Sequence, residues 1–546
     1  MGLIKKGALL ACVMLLAAAT GCGRKYTDDV RSSLGSMSLE QKVGQLLMTS
    51  VPGCKLNSET EEIVERFMPG GVILFGYNLD GPENIRLLIN GMQEHSMRNS
   101  GIPLFISIDQ EGGRVRRITH GLEQFPGNMA AGITGAPHLV YKWGRITGLQ
   151  LRKFGVNMNL APVLDVNNNP GNPVINTRSF GSDPAIVAKM GSRYIRGLQK
   201  SGCIAVGKHF PGHGDTAQDS HVTLPVIPWG IDRLKNVEFV PFKKAIRSGV
   251  EGIMTAHISF PGILENSDPA TLSPVFLTEI LRNQMGFSGL VITDDMEMNA
   301  ISGGRDMGEA AVMSLIAGTD IILISSYGKN IKVIHEAVMK AAQSGRIPLE
   351  RIDASVRRIL ECKFRYRIMS TEKGVSAWAS PGLTEKEEKI LDSAACVNRE
   401  LSRRAIFYHG RKGLLGKDPA SRRFVITGDP VIRSVLEHRS GCIVMQSVED
   451  LYRQASLNYS GIKNTVFLHV KDPDMRIISD LAGFCKRKHA ELVLVSTGNP
   501  FPVAGIDFVD SMLFSFSGTE ESLRQVALCV AGEFMPAREI NCYLGI

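Results

Sequence analysis

The sequence predicts an α/β protein: a (β/α)8 TIM-type barrel followed by a smaller α/β sandwich domain. First, short apolar runs alternate with helix-length stretches over about 330 residues, as strands and crossover helices do in a parallel sheet. Second, polar residues follow these runs directly, where the loops of such a barrel carry its active site. Third, a shorter alternation of the same kind begins after a segment rich in Ser, Gly and Thr.

The barrel prediction depends on eight apolar runs, each short enough to be one buried strand. They are Leu46–Val51, Val72–Phe75, Leu104–Ile108, Asn157–Val163, Cys203–Val206, Gly252–Ala256, Gly289–Thr293 and Asp320–Ser325. Helix starts lie between them. Ser38 and Gln41 form a capping-box pattern, and Asp183-Pro184 places a cap and a first-turn proline before a helix that ends near Gly202.

The chain divides into five predicted segments. These are a signal peptide at 1–21, a linker at 22–37, the barrel at 38–368, a linker and helix at 369–420, and a C-terminal α/β domain at 421–546. The strands predicted for the last domain are Phe424–Thr427, Cys442–Met445, Thr465–Val470, Glu491–Ser496 and Met512–Phe516. The stretch from Gly410 to Lys417 is not a phosphate-binding loop, because its spacing is wrong and Asp418 stands where Ser or Thr is needed. No cofactor is predicted.

The N-terminus is typical of an export signal. Lys5 and Lys6 precede an apolar stretch, which ends in Ala19-Thr20-Gly21 and is followed by Cys22. A cysteine at this point is similar to the lipidated first residue of mature bacterial lipoproteins, although Ala19 stands where a large aliphatic residue is usual. We therefore expect an exported, membrane-anchored bacterial lipoprotein on the periplasmic or cell-surface side. A plain secretory signal and an uncleaved anchor are the alternatives.

Composition excludes several classes of protein. The 546 residues are 44% hydrophobic and 21% charged, which argues against disorder and against a coiled coil. The net charge of +8 is spread along the sequence, so no nucleic-acid partner is predicted, although anionic surfaces or substrates are modestly favoured. The ten cysteines include no Cys-x-x-Cys pair, so neither a zinc ribbon nor a dense disulfide framework is indicated.

The candidate catalytic residues follow the fifth and seventh runs. Asp294 ends a strand and would be held rigidly at the barrel mouth, where a carboxylate serves as nucleophile, base or metal ligand. Asp219 lies two residues from His221, and a nearby carboxylate raises the basicity of an imidazole, which suits a proton shuttle. The glycines around His213 predict a mobile loop that brings this shuttle to its substrate.

Further charged residues suit the recognition of a hydroxylated ligand through directional hydrogen bonds, although each alone could be a structural ion pair. They are Asp109, Arg117, Arg178, Lys208 and His209. A metal site is the alternative for the histidine-rich part, with ligands drawn from His209, His213, Asp215, His221, His257 and Asp294. No compact metal-binding signature is present, so no metal is predicted.

Five motifs stand in order along the barrel. They are Asp109-Gln110-Glu111-Gly112-Gly113-Arg114-Val115, Asn159-Leu160-Ala161-Pro162-Val163-Leu164-Asp165-Val166, Lys208-His209-Phe210-Pro211-Gly212-His213-Gly214-Asp215-Thr216, Asp219-Ser220-His221 and Thr293-Asp294-Asp295. This set resembles glycoside hydrolase family 3, in its β-N-acetylglucosaminidase (β-hexosaminidase) branch. The resemblance is strong from about Ser38 to Arg367, and for the second domain it is one of pattern only.

The resemblance implies an activity and a role for each site residue. Asp294 would be the nucleophile that forms a covalent glycosyl–enzyme, and His221, paired with Asp219, the general acid and base. Asp109, Arg117, Arg178, Lys208 and His209 would bind the sugar. The implied protein is a retaining exo-β-N-acetylglucosaminidase that removes terminal non-reducing N-acetylglucosamine from cell-wall muropeptides or related glycans. A phosphorylase, a non-catalytic sugar-binding lipoprotein and a metal-dependent hydrolase are the alternatives.

Overall fold

The computed structural model describes residues 28–220, 222–302, 304–370, 382–410, 415, 422–455, 464–503 and 506–536. Cys22, His221 and the predicted signal peptide lie outside these ranges. Within the described ranges, no helix combines the length and apolar character that a membrane span requires.

Eight parallel strands form the barrel, in the order β7-β6-β5-β4-β3-β2-β1-β8. Their bounds are β1 (Leu47–Thr49), β2 (Gly71–Leu74), β3 (Phe105–Ile108), β4 (Met158–Asn159), β5 (Ile204–Phe210), β6 (Gly252–Thr255), β7 (Leu290–Ile292) and β8 (Ile322–Ile324). β1 pairs with both β2 and β8, and a bridge between Ile292 and Ile321 joins β7 to the start of β8. The sheet therefore closes, and the predicted barrel fold is confirmed.

β5 runs further than the apolar pattern predicts. It includes Lys208 and His209, which the sequence places in the loop after the strand. Strand geometry continues because the Lys208 N–H donates to the Pro162 carbonyl at 3.1 Å, and the Lys208 carbonyl accepts from the Leu164 N–H at 2.6 Å. An apolar-run criterion misses polar strand residues whose partners come from elsewhere in the chain.

Helices surround the barrel and cover the second sheet. Residues 28–36 are helical. The barrel helices are α1 (Leu39–Gln45), α2 (Ser58–Phe67), α3 (Gly81–Ser100), α4 (Asn128–Ile133), α5 (Pro137–Lys153), α6 (Pro184–Lys200), α7 (Ile231–Asn236), α8 (Phe239–Arg247), a π-helix (Val275–Gln284), α9 (Asn299–Ser302), α10 (Met307–Ala317), α11 (Lys329–Gln343) and α12 (Leu349–Arg365). The later ones are α13 (Glu385–Asp392), α14 (Ala394–Arg404), α15 (Pro430–Leu436), α16 (Val448–Ala455), α17 (Met475–Arg487) and α18 (Glu520–Val530).

The two predicted helix starts have the expected caps. The Ser38 side chain accepts from the Gln41 N–H, and the Gln41 side chain accepts from the Ser38 N–H, which completes the capping box. The Asp183 carboxylate accepts from the N–H groups of Ala185 and Ile186 at the start of α6.

The second domain is a six-stranded sheet in the order β11-β10-β12-β13-β14-β9. Its strands are β9 (Phe407–Gly410), β10 (Arg422–Ile426), β11 (Cys442–Met445), β12 (Asn464–Val470), β13 (Glu491–Ser496) and β14 (Ser511–Phe514). All pairs are parallel except β14 with β9, which is antiparallel. The predicted strands are present. β9 was not predicted, because it follows α14 directly and lies in the stretch assigned to a linker and helix.

Candidate active site

A cavity of about 320 Å³ opens at the carboxyl ends of the barrel strands. Ile73 of β2, Met254 of β6 and Leu160, which follows β4, supply apolar lining. Polar lining comes from Lys208 and His209 at the end of β5 and from residues that follow other strands. Of the predicted site residues, the cavity wall contains Asp109, Arg117, Arg178, Lys208, His209, Asp219 and Asp294. The fold therefore brings every described member of the predicted site to one place, as the carboxyl ends of barrel strands should.

Lys208 and Arg178 share one buried carboxylate, which belongs to Glu111. The Lys208 Nζ lies 2.7 Å from Glu111 Oε1 and 2.6 Å from Asp109 Oδ1. Arg178 donates to both Glu111 oxygens, from Nε at 3.0 Å and from Nη2 at 2.8 Å. Burial opposes ionisation of Glu111, but Arg178 and Lys208 outweigh it and hold the pKa of Glu111 well below its ordinary value. The paired charges fix both cations at the cavity wall.

Glu111 has a structural role that the sequence reasoning did not assign. It stands in the first motif, two residues after Asp109, and both carboxylates contact the Lys208 ammonium. The sequence signal for this role was a second carboxylate in the motif of Asp109, together with two predicted sugar-binding cations that need a partner. Arg117 is more peripheral, with its Nη2 3.5 Å from Asp109 Oδ2 and its guanidinium 5.7 Å from the centre of the Phe75 ring.

His209 is held by the buried carboxylate of Asp165. The two meet between His209 Nδ1 and Asp165 Oδ2 at 2.7 Å, and the backbone N–H groups of His209 and His213 donate to Oδ1 at 3.2 and 2.7 Å. Burial works against the Asp165 charge, yet His209 and these hydrogen bonds keep its pKa below the ordinary value. Asp165 therefore orients an imidazole that lines the cavity.

The adjacent aspartates Asp294 and Asp295 have different environments. Burial raises the pKa of Asp294, but the neighbouring His209 and His257 lower this pKa by more, so the net shift is downward. Burial raises the pKa of Asp295 to about 6. The Asp295 carboxylate also accepts from the N–H groups of Glu297 at 3.1 Å and Ser325 at 3.0 Å. Asp294 is thus an ionised group in the cavity, and Asp295 caps the turn behind it.

Asp219 and Ser220 line the same cavity as Asp294. The Asp219 carbonyl accepts from the N–H groups of Val222 and Thr223, both at 3.0 Å. His221, which follows in the chain, lies outside the described residues, so its role stays a prediction from the motif.

The stretch around His213, whose glycines predict a mobile loop, is closely packed at His213, Gly214 and Thr216. His213 is 2% exposed and Thr216 is 1% exposed. The Asn172 side chain donates to the carbonyls of His213 and Gly214, at 2.8 and 3.0 Å. A Cβ on Gly214 would lie 1.7 Å from the Val166 carbonyl oxygen. The glycine is therefore required for close packing, because no side chain fits between the two segments.

Two histidines of the metal alternative have both ring nitrogens in hydrogen bonds. His213 contacts Thr216 Oγ1 at 3.0 Å and Ser220 Oγ at 2.9 Å. His257 contacts Thr271 Oγ1 at 2.8 Å and the Asp295 carbonyl at 2.9 Å. Across the described ranges, no group of three or more His, Cys, Asp or Glu side chains is arranged to hold a metal ion.

The fold and the cavity define a class: barrel enzymes whose reactive groups are held at the carboxyl ends of the strands. Residues 38–362 match the glycosyl hydrolase family 3 N terminal domain. The chain is 30% identical to β-hexosaminidase A of Pseudoalteromonas piscicida over 540 residues, which cover 94% of this chain and 84% of that protein. It is 34% identical to a β-hexosaminidase of Alkalilimnicola ehrlichii over 297 residues, 53% of this chain and 82% of the relative.

A solved structure extends the similarity to both domains. The glycoside hydrolase family 3 β-N-acetylglucosaminidase from Paenibacillus sp. str. FPU-7 superposes with a TM-score of 0.79 and 33% sequence identity. The match covers 92% of this chain and 98% of that one. The chain belongs to glycosyl hydrolase family 3 and is a glycoside hydrolase. The family and branch indicated by the sequence motifs are confirmed.

Proposed function

We propose that this enzyme is a retaining exo-β-N-acetylglucosaminidase that removes terminal non-reducing N-acetylglucosamine from cell-wall muropeptides or related glycans. The observation that carries the proposal is Asp294, a half-buried carboxylate with a lowered pKa in a small cavity of charged hydrogen-bonding groups. The relatives named β-hexosaminidase and β-N-acetylglucosaminidase support the choice of sugar.

The size of the cavity supports removal of one terminal sugar. At about 320 Å³ it lies near the lower end of ligand pockets, which span about 300–1,000 Å³. Asp109, Lys208 and Arg178 are already oriented by their ion pairs, so they offer fixed charge-assisted hydrogen bonds to sugar hydroxyls. A pocket of this size takes one ring, and the rest of the glycan remains outside as the leaving group.

The proposed chemistry has two steps. In the first, an Asp294 oxygen bonds to the anomeric carbon while the bond from that carbon to the leaving oxygen breaks, and His221 gives that oxygen a proton. In the second, a water oxygen attacks the same carbon, His221 takes the water proton, and the bond to Asp294 breaks. Two inversions give net retention. Asp219 stabilises the imidazolium that His221 forms while it holds the proton.

Product analysis tests the activity and the stereochemistry together. Purified enzyme is given muropeptides with terminal N-acetylglucosamine, and chitin oligomers in parallel, and the released anomer is followed by proton NMR from the first turnovers. We expect free N-acetylglucosamine, released first as the β-anomer. Release of the α-anomer first would contradict the covalent mechanism, and release of disaccharides from within the chain would contradict exo action.

The same assay distinguishes hydrolysis from phosphorolysis. A histidine acid/base places no second carboxylate beside the acceptor, so an anionic acceptor is tolerated. The proposal predicts free sugar at an unchanged rate when phosphate is added. A sugar 1-phosphate as the main product would identify the phosphorylase alternative.

We further propose that Cys22 carries a lipid that anchors the mature enzyme to the membrane. Cells that produce the wild-type chain or the Cys22→Ser chain are fractionated, and enzyme activity is measured in each fraction. We expect wild-type activity in the membrane fraction and Cys22→Ser activity either in the soluble exported fraction or in an unprocessed precursor. Soluble, exported activity from both chains would indicate a plain secretory signal instead.

A further inference from the structure

A basic face lies on the outer side of the barrel, away from the active-site cavity. It borders a groove of about 540 Å³ between α6 and α8. Six cations on these two helices define the basic face: Lys189, Arg193, Arg196, Lys243, Lys244 and Arg247. Five of them are exposed and Lys243 is half-buried.

The basic face is charged without compensation. Neither α6 nor α8 contains an acidic residue. Within the part of the chain that the structure describes, none of the six cations has an ion pair with an acidic side chain, whereas the neighbouring Lys235 lies 3.4 Å from Asp232. Uncompensated like charges repel one another, so the electrostatic free energy of such a surface falls when an anion approaches it.

The spacing on α6 shows that the cations form one stripe. Lys189, Arg193 and Arg196 follow each other at intervals of four and three residues, which places them on the same side of the helix. The side chains between them, such as Met190 and Tyr194, are buried against the barrel. α8 continues the stripe with Lys243, Lys244 and Arg247. Because these segments are far apart in the sequence, the concentration of charge is visible only in the fold.

The extent of the basic face favours a flat, repeating anion. Two adjacent helices present cations along their length, and a groove between them is open to solvent. A membrane with anionic phospholipids presents phosphate groups over an area of this kind, and each Lys or Arg near such a surface contributes about 1 kcal/mol to binding. If Cys22 is lipidated, only the six residues from Cys22 to Thr27 separate the anchor from the helix at 28–36.

That helix packs on the barrel through Val30 and Leu34, so the barrel itself would be held close to the membrane. Six extended residues span at most about 20 Å. We propose that the basic face docks on anionic phospholipid headgroups and orients the barrel on the membrane. The wall formed by α6 and α8 then faces the lipid. The cavity, at the carboxyl ends of the strands, stays open to glycans at the side.

The orientation rests on the proposed lipid anchor, but the basic face can be tested without it. The mature chain with Cys22→Ser, which carries no acyl group, is mixed with vesicles of phosphatidylglycerol and phosphatidylcholine in equal parts, or with vesicles of phosphatidylcholine alone. Bound protein is measured by co-sedimentation. We expect binding to the anionic vesicles only, and its loss when salt is raised from 0.1 to 1 M, because the Debye length falls from about 10 to about 3 Å.

Two variants with the same change in charge locate the contact. K189Q/R193Q/R196Q removes three cations of the basic face, and K329Q/K332Q/K340Q removes three exposed lysines of α11. We expect the first variant to weaken binding to anionic vesicles by between about tenfold and about 100-fold. The second variant should change this binding by less than about threefold. Both should hydrolyse a soluble chromogenic β-N-acetylglucosaminide at the wild-type rate, which shows that they are folded.

Three results would overturn the proposal. One is equal binding of the two variants to anionic vesicles. Another is equal binding of the Cys22→Ser chain to neutral and anionic vesicles. The third is binding to polyphosphate in solution without binding to vesicles, which would assign the basic face to a soluble polyanion. None of these depends on the catalytic mechanism, so failure here is distinct from failure of the proposed activity.

Discussion

Replacement of Glu111 by Gln should damage both stability and sugar binding. The Glu111 side chain is 1% exposed and is shared by Arg178 at 2.8 Å and Lys208 at 2.7 Å. Glu111→Gln keeps the volume and removes the charge, so two cations at the cavity wall lose a common partner. Breaking a buried ion pair costs about 3–5 kcal/mol, because the remaining charge is left without compensation.

That loss of stability can be measured by thermal unfolding. At roughly 2–4 °C for each kcal/mol, we expect the midpoint to fall by about 6–20 °C. The kcat/KM for a chromogenic β-N-acetylglucosaminide should also fall, because Arg178 and Lys208 are no longer held in place.

Glu238→Gln is the matched control. Glu238 is equally buried at 2% exposure, but its contacts are longer, at 3.3 Å to Asn168 and 3.5 Å to Arg233. Burial raises the pKa of Glu238, so its charged form gains little from folding. We expect this control to lose less than about 1 kcal/mol, because its partner Arg233 is 36% exposed and stays solvated without it. If Glu111→Gln is no less stable than Glu238→Gln, the assignment of Glu111 as the organiser of the two cations is wrong.

The pH dependence gives a second check on Glu111. A group whose folded pKa lies below its unfolded value contributes stability above the unfolded pKa and loses it as the pH falls towards the folded value. The stability difference between wild type and Glu111→Gln should therefore be constant above about pH 5 and shrink below the ordinary glutamate pKa of about 4.3. A difference that grows with acidification would contradict the downward pKa shift.

Two further predictions concern the site. Asp294→Asn should lower kcat by at least about 10³-fold. Asp295→Asn should keep most activity, because an amide oxygen still accepts from the N–H groups of Glu297 and Ser325. Steady-state kinetics of both variants checks this, and equal losses of kcat would contradict the division of roles. Burial lowers the pKa of His213 from 6.5 to about 4. As the pH drops from 6.5 to 4, His213 is therefore protonated in the unfolded chain before it is protonated in the folded chain, and wild-type stability should fall. His213→Gln should lack this part of the acid destabilisation in thermal unfolding, and an unchanged pH profile would show that His213 does not cause it.

Much of the fold could be predicted because buried strands are apolar runs. Each of the eight predicted runs contains or overlaps a strand of the barrel, even the two-residue β4. β5 was underestimated, since Lys208 and His209 are polar. They remain in the strand because Glu111, Asp109 and Asp165 neutralise or bond them, and no local pattern encodes partners that are distant in sequence.

The site was predicted in its members but not in its internal organisation. Strand-end placement brought Asp109, Lys208 and Asp294 to one cavity, as parallel topology requires. The sequence does not show that Glu111 holds Lys208 and Arg178 or that Asp165 holds His209, because such pairings depend on the directions of side chains in the fold. The stretch at His213 looked mobile from its glycines, yet Gly214 is there because the Val166 carbonyl leaves no room for a side chain. The basic face was missed because its two helices are separated by the active-site motifs.

The proposed mechanism requires that Asp294 forms a covalent bond with the sugar. The most direct measurement is mass spectrometry of enzyme quenched by acid during turnover of a β-N-acetylglucosaminide with a good leaving group, followed by proteolysis. We expect the peptide containing Asp294 to gain the mass of one N-acetylhexosamine residue, and this gain to be absent in Asp294→Asn. Attachment of the sugar to a different residue, such as Asp295 or Asp219, would contradict it.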